Sequence, residues 1–256
     1  MAKIASWNVN SIRAREEHLK RWLSENHVDI LGLQETKVQN QNFPLDFVNQ
    51  LGYQVFYSGQ KSYNGVCILF KGNAELISDR IPGFSDEQKR VLAVEWKGIL
   101  IINIYVPNGG EIGSEKFDYK MNWLGAFCLW IKELNKTFKK IIVLGDFNIA
   151  PTDLDVHDPV LWQDKTLCSK RERGFLKDLK ELGLIETFRQ IDEDTRAFTW
   201  WDYRGGSFRK NLGLRIDLIL ASTNLIGHIL DSSVDVTPRG WEKPSDHAPV
   251  SILIDP

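Results

Sequence analysis

The chain has 256 residues, of which 43% are hydrophobic and 26% are charged, and its formal net charge is -2. This length and apolar content are enough for one large globular domain, so we predict a single domain over residues 1–256. The near-neutral charge excludes a protein that binds polyanions over its whole surface, and any nucleic-acid binding must come from local clusters of cations.

Nine apolar or alternating runs predict β-strands, and three segments with apolar residues at helical spacing predict helices. In chain order these are strand 3–7, a helix marked by Leu19, Trp22 and Leu23, strands 30–34, 53–58, 66–70, 92–96 and 99–105, a helix marked by Leu124, Phe127, Cys128, Ile131 and Leu134, strand 141–144, a helix marked by Leu176, Leu179 and Leu182, and strands 216–221 and 250–254. Helices separate groups of strands rather than following each strand. This order favours packed sheets with helices outside over one doubly wound sheet.

Polar side chains that suit a reaction site lie where several of these strands end. Asn8 ends the first strand, Glu35 follows the second, and Asp146 and Asn148 follow strand 141–144. Because Asp146 and Asn148 are two residues apart, they point the same way as the chain leaves the strand. A carboxylate and a carboxamide aimed together at a strand end indicate a site rather than a core.

Asp217 lies within an apolar strand, where a carboxylate costs several kcal/mol unless it is paired or metal-bound. For this residue alone, an ion pair with Arg215 on the same face and a role in a site are equally good interpretations. Asp246 and His247 precede the last strand, and His247 could be a base, a phosphate donor or a buried ring. Taken together, the oxygen ligands suit Mg²⁺ or Mn²⁺ and indicate a metal-assisted phosphoester hydrolase.

Two further features have a plain and a functional interpretation. Tyr105 ends an apolar run before a Pro/Asn/Gly turn, and the sequence alone favours an aromatic lid over the core rather than a phenol aimed at a phosphate. Segment 204–215 has four cations and no acid, directly after the aromatic segment 198–203. It is either a solvated loop beside core tryptophans or, as we expect, a nucleic-acid contact.

Seven motifs then stand in an order typical of one family: WNVNSIRA (7–14), LQETK (33–37), YVPNG (105–109), GDFNIAP (145–151), TWWDY (199–203), LRID (214–217) and SDHAP (245–249). With these motifs the chain resembles the exonuclease III family of abasic-site endonucleases, within the endonuclease/exonuclease/phosphatase superfamily, over essentially its whole length. The resemblance implies a four-layer αββα sandwich in which two mixed β-sheets pack face to face. One departure is Asn10, which stands where eukaryotic relatives carry an aspartate.

The resemblance also implies a role for each matching residue. A site for Mg²⁺, with Mn²⁺ as a substitute, is expected at Asn8, Glu35, Asp146, Asn148, Asp246 and His247. The expected catalytic residues are Tyr105, Asp146, Asn148, Asp217 and His247. Contacts with DNA are expected from Asn108, Trp200, Arg204, Arg209, Lys210, Leu214 and Ile216. Among these, a pocket for a flipped-out abasic sugar would be lined by Trp200, Leu214 and Ile216.

The implied activity is hydrolysis of the phosphodiester 5′ to abasic sites in double-stranded DNA, with 3′→5′ exodeoxyribonuclease and 3′-phosphodiesterase activity. The expected partner is therefore duplex DNA with abasic sites or blocked 3′ ends. A phosphatase or lipid phosphodiesterase is the first rival, but it would not need the basic-aromatic segment 200–215. A non-catalytic binding module is the second, but it would have lost some of the site's acidic residues.

The remaining features concern the setting of the protein. Cys67, Cys128 and Cys168 are widely spaced and match no metal or disulfide motif, so we expect reduced thiols. No apolar stretch approaches the roughly 18 residues of a membrane-spanning helix, and the amino terminus has no signal-like segment. We expect a monomeric, prokaryotic-type cytoplasmic protein that has no contact with membranes.

Overall fold

The computed structural model describes residues 1–255, and within them the chain forms two six-stranded β-sheets. The strands are β1 (Ala2–Asn8), β2 (Ile30–Gln34), β3 (Gln54–Ser58), β4 (Val66–Phe70), β5 (Ala74–Ser78), β6 (Val91–Trp96), β7 (Ile99–Tyr105), β8 (Ile141–Asp146), β9 (Leu184–Glu186), β10 (Asp217–Ser222), β11 (Ile229–Val234) and β12 (Val250–Ile254). The α-helices are α1 (Glu16–Glu25), α2 (Leu45–Gln50), α3 (Glu115–Thr137), α4 (Pro159–Trp162), α5 (Lys170–Glu181), α6 (Thr187–Ile191) and α7 (Thr223–Ile226).

The two sheets repeat one topology. The first has the order β11-β12-β1-β2-β4-β3 and the second the order β5-β6-β7-β8-β10-β9. Each contains a single parallel pair, β1–β2 or β7–β8, and its other neighbours are antiparallel. A helix connects the parallel strands in both cases, α1 in the first sheet and α3 in the second. The prediction of two mixed sheets is confirmed, and β2 and β8 occupy equivalent positions.

Apolar side chains from both sheets fill the space between them, including the fully buried Ile68 and Ile101. The sheets approach closely at Gly32, where an added Cβ would lie 2.2 Å from Leu144 Cδ1. Asn103 of β7 forms polar links across this core: its Oδ1 accepts from Gln34 Nε2 at 2.6 Å, and its Nδ2 donates to the Leu33 and Cys67 carbonyls at 2.9 Å and 2.8 Å. Because Gln34 is the last residue of β2, these bonds fix the two sheets relative to each other beneath the strand ends.

Helices cover both outer faces and complete four layers. The buried Trp22 of α1 and Val48 of α2 pack on the first sheet, whereas Phe127 of α3 and Phe175 of α5 pack on the second. Each of these helices therefore buries apolar side chains against a sheet. Helical spacing in the sequence predicted α1, α3 and α5, whereas the short α2 was not predicted. Among residues 1–255, no helix has both the length and the apolar character required to cross a membrane.

The sequence prediction missed three strands, β5, β9 and β11, and each of them is the outermost strand of its sheet. An edge strand has one neighbour and is partly exposed, so its sequence need not be strongly apolar. The strand predicted at 216–221 begins one residue later, at Asp217. The three predicted helices are present, and Gly183 follows the third with a φ of 87°, which suits a helix end.

Candidate active site

The strand ends that carry the predicted residues meet at one end of the sandwich. β1 and β2 run parallel and β12 runs against them, so the carboxyl ends of the first two lie beside the start of β12. In the second sheet, antiparallel pairing of β8 and β10 places Asp217 opposite Asp146. Residues from distant parts of the chain therefore lie together at one end of the sandwich.

Asn8, Glu35 and Asp146 form the centre of this cluster. Asn8 Nδ2 lies 2.9 Å from Glu35 Oε1 and 3.0 Å from Asp146 Oδ2, which joins a residue of one sheet to a residue of the other. Ligand atoms of Glu35, Asp146 and His247 all lie within 4.8 Å of one another. The structure thus brings together three of the residues predicted from strand ends and the SDH motif.

His247 is held by Asp217, since its Nδ1 lies 2.8 Å from Asp217 Oδ2, and its Nε2 faces Asp146 Oδ2 at 3.8 Å. Thr199 Oγ1 accepts the backbone N–H of Asp217 at 3.0 Å and fixes the start of β10. Arg215 donates instead to Asp155 and Glu186. The interpretation of Asp217 as an ion-pair partner of Arg215 is therefore wrong, and its partner is the histidine of the site.

The net effect of burial and neighbouring charges is to raise the pKa values of both Asp146 and His247. Burial raises the pKa of Asp146 to about 7, with a smaller opposing effect of His247. Burial alone would lower the pKa of His247, but Asp217 and Asp146 outweigh it and raise the pKa to about 10. Both shifts favour a protonated His247 at neutral pH, with a hydrogen on each ring nitrogen, and leave Asp146 able to exchange a proton.

Glu35 stays ionised. Burial by itself would raise the pKa of Glu35, but Lys37 and Asn8 outweigh it and lower the pKa. Lys37 Nζ lies 2.9 Å from Glu35 Oε2 and also donates to Asn10 Oδ1. Sequence reasoning missed Lys37, although a cation two residues after a site carboxylate was an available signal.

Asp246 lies beside this group, outside the set formed by Glu35, Asp146 and His247. Its two carboxylate oxygens accept from Asn10 Nδ2 at 2.9 Å and from Trp200 Nε1 at 3.0 Å. Burial alone would raise the pKa of Asp246, but His247, Trp200 and Asn10 outweigh it, so the pKa is lowered.

Asn148 is held in an unusual backbone conformation, with a φ of 49°. Its backbone N–H donates to Asp146 Oδ1 at 2.9 Å, and its Oδ1 accepts from Asn108 Nδ2 at 3.1 Å. Gly145, which precedes the pair, allows the backbone of Ile104 to come close: an added Cβ would lie 1.9 Å from the Ile104 carbonyl oxygen. The GDFN motif therefore needs its glycine for packing and its asparagine for the left-handed turn.

Tyr105 packs against the core between the sheets, as the sequence alone favoured, and its phenol also lies within reach of the charges of the site. Burial raises its pKa well above the usual value, and the charges of Glu35 and Asp146 act in the same direction. The guanidinium carbon of Arg90 lies 4.6 Å from the centroid of the ring. Tyr105 therefore remains a protonated hydrogen-bond donor at the edge of the acidic cluster.

The four cations of segment 204–215 do not form one patch. Arg204 donates to Asp202 at 2.7 Å, and Arg209 and Lys210 are exposed. Arg215 is only 1% exposed and forms buried ion pairs, so our expectation that it contributes to a nucleic-acid contact is wrong. Arg209 and Lys210 remain the free cations of this segment.

Leu214 and Ile216 are almost fully buried in a small cluster with Val156 and Leu167. Trp200 is partly buried and packs against this cluster. Its indole N–H already donates to Asp246, so a ligand could contact Trp200 only through the face of its ring. The cluster supplies an apolar backing directly beside the acidic site.

The donor set fits a hard divalent cation, because the partly buried Glu35 and the buried Asp146 present carboxylate oxygens close together. Asn8 turns its amide nitrogen towards these carboxylates, while its Oδ1 accepts the Asn10 N–H at 3.0 Å. His247 is positively charged and therefore suits an anion better than a cation. An ionised Glu35, a titrating Asp146 and a fixed imidazolium together can bind and cleave a phosphate ester.

This arrangement at the end of two packed sheets defines a phosphoester hydrolase. The chain belongs to the Endonuclease/Exonuclease/phosphatase family, whose family model matches residues 5–247. It is 35% identical to exodeoxyribonuclease III of Haemophilus influenzae over 97% of this chain and 98% of that protein.

Two solved structures extend this comparison. The 3′ phosphatase NExo from Neisseria, bound to a product DNA hairpin, matches with a TM-score of 0.94 and 39% identity, over 100% of both chains. An AP endonuclease from Archaeoglobus fulgidus matches with a TM-score of 0.95 and 38% identity, again over 100% of both chains. These likenesses confirm the predicted family and the predicted class of enzyme, a nuclease.

Proposed function

We propose that this protein is a Mg²⁺-dependent DNA-repair phosphodiesterase that hydrolyses the bond 5′ to an abasic site in duplex DNA. The observation that carries the proposal is the group formed by the partly buried Glu35, the buried Asp146 and the Asp217-bound His247, brought together from both sheets. The similar AP endonuclease from Archaeoglobus fulgidus supports the choice of substrate. We further propose that one domain, acting as a cytoplasmic monomer, is sufficient.

In this proposal Glu35 is the principal metal ligand, and Asp146 is close enough to share the ion. One or two carboxylates are the usual protein contribution to a Mg²⁺ site, with water and substrate phosphate completing it. The bound cation would polarise the phosphate and offset the charge that develops on its oxygens. Asn8 would orient both carboxylates, and Asp246 would hold Asn10 and Trp200 at the rim.

The chain's own residues would then perform the remaining chemistry. Asp146 either takes a proton from the attacking water or gives one to the leaving oxygen, and a pKa of about 7 suits both roles. His247, fixed by Asp217, donates from Nε2 to a non-bridging phosphate oxygen. The phenol of Tyr105 and the amide of Asn148 would add donors on the same side of the phosphate.

Processing of 3′ ends is the second candidate, because the structurally similar Neisseria protein is named a 3′ phosphatase. Hydrolysis of a 3′-phosphate monoester and of an internal diester need the same metal, nucleophile and phosphate donors. The two differ in whether the abasic nucleotide must be accommodated beside Trp200, Leu214 and Ile216. We propose both activities for this chain, with incision at abasic sites as the principal one.

The test uses a labelled duplex with one tetrahydrofuran abasic analogue, which blocks β-elimination, and a matched nicked duplex with a 3′-phosphate. We expect incision on the 5′ side of the analogue in Mg²⁺, leaving a 3′-hydroxyl, and no incision in EDTA. An intact analogue duplex together with release of the 3′-phosphate would move the assignment to 3′-end processing. No reaction on either duplex would contradict the DNA assignment and favour a small-headgroup phosphatase.

A further inference from the structure

Lys120 is an unusual residue for its position. It lies on the apolar face of α3, three residues from Phe117 and Trp123, and its side chain is 0% exposed. A lysine buried to this degree loses its hydration and must be compensated by neighbouring groups. Its ammonium group has three hydrogens, and three different segments of the chain accept them.

Two of the three acceptors belong to segments beside the acidic cluster, and the third lies at the start of α5. Lys120 Nζ donates to the Asn148 carbonyl at 2.7 Å, to the Asn108 carbonyl at 3.2 Å and to the Glu172 carboxylate. Asn108 and Asn148 are the two asparagines whose side chains bond to each other at the site. Lys120 thus links the loop after β7 to the loop after β8 through hydrogen bonds to one backbone carbonyl of each.

Glu172 anchors the other side of the arrangement. It is 0% exposed and sits in the first turn of α5. Its Oε1 accepts the Leu167 N–H at 2.9 Å, and its Oε2 accepts the N–H and hydroxyl of Ser169 at 3.0 Å and 2.6 Å. The buried pair therefore fixes the loops relative to the start of α5.

From these contacts we infer that Lys120 is a positioning residue, which sets the Asn148 amide and, through the Asn148 N–H, the carboxylate of Asp146. Asn148 needs such support, because a residue other than glycine keeps a left-handed backbone conformation only when the surrounding contacts stabilise it. Loss of the ammonium leaves the Asn108 and Asn148 carbonyls without their shared donor. The reacting groups then shift although none of them has been altered.

A buried ion pair of purely structural importance is the alternative, and a pair of variants separates the two. Lys120→Met leaves Glu172 as an uncompensated buried charge and is expected to be destabilised. In Lys120→Met/Glu172→Gln both charges are absent, and glutamine still forms the capping box with Ser169. We expect the double variant to recover most of the lost melting temperature. Its kcat should nevertheless stay about 10²-fold below wild type, because small displacements of reacting groups cost rate.

The comparison variant is Glu172→Gln alone, which retains Lys120 and its two carbonyl contacts but leaves the buried ammonium without its carboxylate, so it should be destabilised as Lys120→Met is. Measured on the folded protein, its kcat should stay within about threefold of wild type, because the Asn108 and Asn148 carbonyls keep their shared donor. Dissociation constants for DNA should change by less than about threefold in all variants, so the loss appears in kcat rather than in binding. A double variant that melts like wild type and turns over like wild type would overturn the inference. So would a loss confined to KM.

The inference rests on the proposed function, so each variant is measured on the abasic-analogue duplex and on the 3′-phosphate duplex. Failure of the wild-type protein on the first substrate contradicts the proposed principal activity. The Lys120 comparison is then made on the substrate that the wild-type protein cleaves, since the same loops serve both reactions. Ile131→Ala, a core change on the same helix, controls for destabilisation without contact with the loops.

Discussion

Two residues of the site have backbone conformations that only their surroundings can hold. Glu35 has a φ of 52° and Asn148 a φ of 49°, each in the left-handed region. Such residues cost of order 1–3 kcal/mol and concentrate at functional sites. Here the left-handed residues follow equivalent strands of the two sheets, β2 and β8, whose ends are linked by Asn8 through its bonds to Glu35 and Asp146.

The contact between Asp217 and His247 gives a prediction at this scale. Burial alone would lower the pKa of His247, and Asp217 is the first of the carboxylates that raise it. Asp217→Asn therefore makes the imidazolium less favourable and removes the carboxylate that orients the ring. We expect the rate of DNA cleavage to fall by about 10²–10⁴-fold, the range typical of general acid–base and orienting groups. Single-turnover cleavage measures this rate. Asp231→Asn, at an exposed aspartate of β11, is the control and should react like wild type.

The sequence was sufficient to predict the site residues that stand out against an apolar strand, such as Asp146 and Asp217. Lys37 was missed although its partner Glu35 is only two residues away. Lys120 was not predicted because the groups that bind it are distant in the chain. A lysine on an apolar helix face was visible in the sequence, but its acceptors are backbone carbonyls of two loops. Such partners carry no sequence signal.

At the scale of elements, the start of β10 is fixed by a buried ionic network. Arg215 Nε donates to Asp155 at 2.8 Å, and Arg215 Nη1 donates to Glu186 at 3.0 Å. Arg189 also pairs with Asp155 at 2.6 Å. The network joins the loop after β8, the end of β9 and the residue two positions before Asp217, so it holds the histidine's partner in register.

Arg215→Met should therefore lower the free energy of unfolding by about 3–5 kcal/mol, the usual effect of removing one partner of a buried pair. Burial alone would raise the pKa of Asp155, but Arg215 and the hydrogen bonds to Asp155 outweigh it and lower the pKa. A carboxylate with a lowered folded-state pKa contributes stability above its unfolded-state pKa, near 4, and loses it as the pH falls through the folded-state value.

The difference in free energy of unfolding between wild type and Arg215→Met should consequently be largest at pH 7 and shrink as the pH drops below about 4. Urea unfolding of both proteins between pH 3 and pH 7 measures it. A difference that stays constant over this range would mean that Asp155 is not the group that Arg215 stabilises.

Element prediction succeeded in the middle of the sheets and failed at three of their four edge strands, since only β3 was predicted. β2, β4, β7 and β12 have the predicted boundaries, because strands buried on both faces read as apolar runs. β5 and β11 contain acidic or serine residues that an exposed edge tolerates, so their sequences resemble loops. The correspondence of β2 with β8 could be suspected from their apolar runs into an acidic residue, but it required the pairing pattern to be established.

At the scale of the whole molecule, the protein is close to neutral, so binding to DNA must depend on a few placed cations rather than on net charge. The site lies at the end of the sandwich where both sheets meet, and the exposed Arg209 and Lys210 lie in the loop that leads to β10. Arg204 in the same loop is engaged by Asp202. The three cations should therefore differ in their effect on DNA binding.

Arg209→Ala and Lys210→Ala should each reduce the slope of log affinity against log salt concentration by about 1, as expected for one lost phosphate contact. Arg204→Ala should change the slope less, because its guanidinium is bound to a carboxylate of its own chain. Fluorescence anisotropy with a labelled abasic duplex at several salt concentrations measures these slopes. Equal effects of all three changes would contradict the distinction drawn here.

The central claim is that the buried Asp146, beside Glu35 and His247, takes part in cleaving a DNA phosphodiester. Its most direct test is the Asp146→Asn variant, with single-turnover cleavage of the abasic-analogue duplex in Mg²⁺ measured beside the dissociation constant for the same duplex. We predict a fall in the cleavage rate of at least about 10²-fold with a change in DNA affinity of less than about fivefold. Equal losses in rate and affinity, or an unchanged rate, would contradict the account.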